Sequence, residues 1–129
     1  MKKIIILIAL HLIGFNSLFS QADVYDGTKE VWIKGTGSAD DPFLLESAKH
    51  LAFFNYVVSL GIPCGDSHFL LTTDIDLNGS ENFQWVPIGQ WQDEEACTGN
   101  VNVGFEGHFD GGNHVIKNMY INKVGYAGF

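Results

Sequence analysis

His108, Asp110 and His114 fall within the seven residues "HFDGGNH". Two imidazoles and a carboxylate so closely spaced could hold a metal ion or pass a proton. The same stretch, "GHFDGGNHVIKNMYI" over 107–121, also reads as a tight turn feeding a β-strand. Side-chain direction separates the two readings. In an extended "FEGHF", Phe105, Gly107 and Phe109 share one face, which turns His108 outward beside Glu106. His114 shares a side with Ile116, pointing inward or to the rim. The two histidines then lie on opposite faces, poor geometry for a common ion. Asp110, Gly111, Gly112 and Asn113 are therefore read as a structural turn, and no catalytic or metal-ligating residue is assigned.

Other chemistry-bearing residues narrow in the same way. Asp74, Asp76, Asn78 and Gly79 match the start of an EF-hand loop, but its twelfth position, normally a bidentate Glu, is Trp85. Strand periodicity, not a helix, leads into it. The alternation in "HFLLTTDIDL" puts Phe69, Leu71, Thr73, Ile75 and Leu77 on one face of a strand. Asp74 and Asp76 then sit outward at neighbouring positions, where weak Ca2+ binding stays open; no other cofactor is implied. "NGS" at Asn78 has the form of a glycosylation sequon, though it reads better as the turn closing that strand. Cys64 and Cys97 are predicted to form a disulfide if the chain is exported, with free thiols as the alternative. Closing so long a loop contributes about 3 to 4 kcal/mol in the chain-entropy account. A zinc site from Cys64, His68 and Cys97 matches no usual spacing.

Export itself is read from the first 22 residues. Lys2 and Lys3 precede the apolar "IIILIALHLIGF", and Ser20-Gln21-Ala22 supplies small residues at the recognition positions of a signal peptidase. Cleavage after Ser20 is the alternative. The apolar run falls short of the ~20 residues of a membrane span, and no second run follows it. The prediction is a secreted or cell-surface product with no membrane span after signal cleavage and its anchor elsewhere. Without the two leader lysines, five of the seven basic residues face all fifteen acidic ones, a net of −10, and arginine is absent. Nucleic acid, whose phosphates need Lys or Arg, is excluded as a partner class. Anionic polysaccharide and anionic lipid are disfavoured for the same reason.

The elements that must position these residues fit one small domain. Segment 23–34 is a lead-in, and "GTGSADDP" over 35–42 is a turn cluster before the short strand "FLL". Ser47 caps a helix over 48–60, which Gly61 and Pro63 stop. Leu51, Phe54 and Val58 share one helix face, while Phe53, Tyr56 and Leu60 make the other apolar too. Such a helix is covered on more than one side or lies across the end of an open core. "QWQDEEACTGN" over 90–100 is a surface loop. There Trp91 could stack on a sugar or apolar patch, and Asp93, Glu94 and Glu95 could accept hydrogen bonds. Packing of Trp91 against neighbouring chain is the competing reading. Short strands between Gly, Asn and Asp turns suggest a solenoid, a small β-sandwich or a small barrel.

Several segments, in order, resemble the GLUG-motif proteins, secreted and surface proteins of Bacteroidetes and Firmicutes. "FEGHFDGGNHVIKNMYI" followed by "GYAGF" is similar to their repeat, F-x-G-x-F-D-G-N-G-H-x-I-x-N-L-x-I and then G-x-x-G-L-F-G. "GTGSADDPFLLESAKHLAFFNYV", "FLLTTDIDLNG" and "WVPIG" resemble the region before the first repeat. The likeness runs from Gly35 to Phe129. It departs at Gly112-Asn113, where the family has Asn-Gly, and both residue types tolerate positive φ. It also stops inside the glycine motif, so 35–129 is expected to be the cap and first repeat of a longer, truncated protein. The resemblance implies a mainly β fold, the start of a right-handed parallel β-helix whose N-terminal helix caps the core.

Function follows more loosely than fold. The first expectation is a non-enzymatic, adhesin-like binding or structural module for a glycan or protein ligand on host or microbial surfaces. The second is the N-terminal part of a polysaccharide-degrading enzyme or a large surface peptidase. A lyase needs a base, for which few lysines are available. Asp74 and Asp76, adjacent on one face, are better placed for mutual repulsion than for flanking a glycosidic bond. The chain has no HExxH or GxSxG. A spacer that displays some other domain is the third.

Overall fold

The computed structural model describes residues 21–62, 64–89 and 104–122. The elements are β1 (Asp23–Val24), β2 (Phe43–Leu45), α1 (Ala48–Ser59), β3 (His68–Leu71), β4 (Ile75–Asp76), β5 (His108–Asp110) and β6 (Ile116–Lys117). Among the described residues every pairing between strands is parallel. One sheet has the order β1-β4-β6 and the other β2-β3-β5. Between the parallel neighbours β2 and β3 the chain crosses over through α1, the connection such a pair requires.

This arrangement corrects the expected fold class. The described residues form a small α/β domain, two three-stranded parallel sheets with one helix, and neither the mainly β solenoid nor the β-sandwich. Parallel pairing throughout is incompatible with the antiparallel sheets of a sandwich. The helix, moreover, packs into the common core rather than over the end of a stack of coils. Its Ala48, Leu51, Ala52, Phe54 and Val58 are buried with Leu45, Phe69, Leu71, Ile75, Leu77 and Trp85. Segment 23–34 supplies β1 and Trp32, whose ring packs on Phe43, Phe53 and Phe69.

The helix forms where its caps place it. The Ser47 hydroxyl accepts from the His50 amide at 3.1 Å, and Asp23 Oδ2 accepts from the Ala48 amide at 2.6 Å. Two of the helix's unpaired N–H groups are thus satisfied, one by a residue of β1. At the other end Gly61 takes φ +67, the left-handed stop that glycine adopts without penalty. The greasy far face is covered only in part. Phe53 meets Trp32, whereas Tyr56 and Leu60 remain 42% and 55% exposed.

The inward alternation of Phe69, Leu71, Ile75 and Leu77 is present, but not on one strand. The chain turns between β3 and β4, so the first pair faces the core from one sheet and the second pair from the other. Residues 110–114 form a turn. Asp110 Oδ1 accepts from the Gly112 amide at 2.9 Å, and Gly112 and Asn113 take φ +56 and +61. A Cβ on Gly112 would collide with the carbonyl oxygen of Leu71, whereas one on Gly111 would meet open space. Gly112→Ala should therefore destabilise the domain by about 1 kcal/mol or more, with Gly111→Ala close to neutral. Urea denaturation of the two variants checks the contrast.

Candidate functional site

His108, Asp110 and His114 reach three different partners. His108 faces outward from β5 and stacks on His68, its register partner in β3, with ring centroids 4.2 Å apart and planes 14° from parallel. Asp110 serves the turn. His114 Nδ1 lies 3.0 Å from Asp74 Oδ1. Among the described residues no three His, Cys, Asp or Glu side chains converge on a common point.

Asp74 and Asp76 are likewise occupied. Asp74 Oδ1 also accepts from the Val115 amide at 3.1 Å. The Asp76 carboxylate accepts from the Asn78 amide and, through both oxygens, from Asn118 Nδ2. Lys117 Nζ stands 3.5 Å away. These carboxylates thus tie the 114–118 segment to β4, using oxygens that a calcium ion would need. Hydrogen bonds, first from Val115 and His114 to Asp74 and from Asn78 and Asn118 to Asp76, hold both acids below the ordinary carboxylate range. Asp26 is lowered further, to about 2, by the hydroxyl and amide of Thr28 and then by Lys49, 3.1 Å away.

Cys64 is buried, which pushes its thiol up, and its sulfur lies 3.6 Å from the Ile62 carbonyl oxygen. Its expected partner Cys97 lies outside the described residues, as do residues 1–20 of the leader, Trp91, Asp93, Glu94, Glu95 and the final "GYAGF".

Sequence reasoning missed a cleft beside the helix. It has a volume of ≈ 210 Å³ and opens between α1 and the chain around residues 25–29 and 84–86. Asn55, in the midst of the apolar "AFFNYVV", forms its floor at 9% exposure. Asn55 Nδ2 donates to the Val86 carbonyl at 2.7 Å, which fastens the 84–86 segment to the helix. Its Oδ1 has no donor among the described residues. Tyr25, Tyr56 and Trp85 provide aromatic walls, Tyr25 meeting Trp85 edge-on at 5.5 Å. Burial, then the charge of Asp26, raises the Tyr25 phenol, which stays a neutral donor. Lys29 Nζ sits 4.6 Å from the centre of the Tyr56 ring. A polar residue inside an apolar helix was the available signal for this cleft.

No protein-family model matches the chain, and no solved structure matches it. It is similar to a protein of Evansella cellulosilytica named "Putative Gly-rich membrane protein", at 32% identity over 97 residues. The match covers 73% of this chain and 10% of that protein, so the chain spans about a tenth of its relative's length. Among the described residues no helix is long and apolar enough to cross a membrane.

The lowered carboxylates set an acid response. A group whose folded pKa is depressed contributes stability that is complete above its unfolded value and is lost as pH falls through the folded one. Stability should hold between roughly pH 7 and 5 and fall progressively below about pH 4. Asp74→Asn should flatten part of that decline. Urea midpoints of parent and variant across this range test the expectation.

Proposed function

We propose that the chain is the N-terminal part of an exported, non-enzymatic surface protein, an adhesin-like binding or display module akin to the GLUG-motif proteins. The observation that carries this reading is the cleft over Asn55. The Asn55 amide, two phenols, Trp85 and Lys29 line a site that can recognise a ligand by stacking and hydrogen bonds. That chemistry suits a neutral glycan. Lys29, which lines the cleft, already lies over Tyr56, and the acidic balance of the chain disfavours anionic polymers. Trp91, with Asp93, Glu94 and Glu95, is a second contact in this reading. The relative's description as a membrane protein supports display at a cell surface.

Affinity electrophoresis through a panel of neutral polysaccharides, with reducing ends assayed in parallel, tests the proposal. The parent should be retarded by at least one polymer without releasing reducing ends. Tyr56→Ala, at an exposed position, should weaken that binding about tenfold. Trp91→Ala separates the loop's share from that of the cleft. Retardation by no polymer, or steady release of reducing ends, overturns the reading.

A further inference from the structure

His68 and His108 lie 40 residues apart in sequence and side by side in space. They are register partners on the parallel strands β3 and β5. Both backbones are held, since the His68 amide donates to the Gly37 carbonyl at 2.8 Å and the His108 amide to the Ser67 carbonyl at 2.9 Å. The side chains leave the same outer face of the sheet, as the inward turn of Phe69 and Phe109 requires. Their rings stack at 4.2 Å, and neither ring has a hydrogen-bond partner among the described residues. In front of them lies an open groove of ≈ 390 Å³, whose lining includes Pro42, Leu70 and Asp110 and no lysine.

Near-parallel stacking of two small heteroaromatic rings gains little by itself, because aromatic pairs prefer offset or edge-on contacts. The juxtaposition has another consequence. Two imidazole nitrogens bound to one ion at about 2.0–2.1 Å stand roughly 3–3.5 Å apart in tetrahedral or octahedral coordination. Rings already 4.2 Å apart reach that separation through rotation about their side-chain bonds, with the strands left in place. Imidazole selects borderline ions such as Zn2+, Ni2+ and Cu2+ over Ca2+ and Mg2+. Asp110 adds negative charge on the same face. Its Oδ1 is engaged by Gly112, and its Oδ2 has no donor among the described residues.

We propose that His68 and His108 form a two-imidazole chelate on the outer face of the β2-β3-β5 sheet for a borderline divalent transition ion, with water in the remaining positions. The site is distinct from the Asn55 cleft and does not depend on what that cleft binds. Two protein ligands make an open, exchangeable site rather than a structural one with four.

The test is a titration of the full chain with Ni2+, followed by calorimetry and by the histidine ring signals in NMR. The expected result is one equivalent bound, with the His68 and His108 signals broadened together. His68→Ala and His108→Ala should each weaken binding about tenfold or more, because the second imidazole binds intramolecularly. His114→Ala should bind as the parent does. A tenfold excess of Mg2+ over Ni2+ should leave the isotherm unchanged. Absence of binding to the parent, broadening centred on His50 or His114, or unchanged affinity in both single variants would overturn the proposal. The broadening is read on the parent, so it decides the matter even if an alanine variant folds poorly.

Discussion

Phe69 is the side chain on which the rest of the domain depends. Its ring, 3% exposed, touches Phe43 of the neighbouring strand, Trp32 of the N-terminal segment, Phe54 of the helix and Phe105 ahead of β5. The closest of these contacts, to Phe54 at 4.7 Å, joins sheet to helix. Strands of only two to four residues contribute few ladder hydrogen bonds each, so they need a common apolar anchor. Phe69 provides it because parallel register stacks Phe43, Phe69 and Phe109 at one level. The helix closes that column from the side.

The second sheet is joined to this core by polar groups as well as apolar ones. Asp23 ends in two structures at once, since its backbone belongs to β1 and its carboxylate caps the helix. Asp74 and Asp76 do the same between β4 and the chain around β6. Asn78, Asn113 and Asn118 all adopt positive φ, and Asn118 uses its side chain to hold Asp76 from that strained position. The short polar residues that punctuate the sequence are thus tie points between neighbouring passes of the chain.

Local features were legible because their causes are local. Ser47 and Gly61 mark the helix, and Asp110 to Asn113 dictate the turn, including the outward direction of His108. The alternation of Phe69, Leu71, Ile75 and Leu77 was also readable. The corner within it was not, because Thr73 continues the period and hides the passage from one sheet to the other. Fold class failed for a related reason. Periodicity identifies which residues face inward but not how the strands pair, and parallel pairing with a helix in the core depends on contacts distant in sequence. The same distance hid His68 from His108, and Asn55 from Tyr25 and Trp85. Each pair is brought together by register or by helix packing, neither of which leaves a spacing to read.

The lysines have a consequence at the scale of many molecules. Lys34 is paired with Glu46, Lys49 with Asp26 and Lys117 with Asp76, while Lys29 lies over Tyr56. Every lysine among the described residues is therefore committed within its own chain, and the remaining carboxylates draw their counterions from the medium. Such a surface behaves as a polyanion whose field reaches about 8 Å at physiological ionic strength. Crowded copies of the domain will hold one another apart rather than adhere side by side. Salt then tunes how closely such neighbours approach.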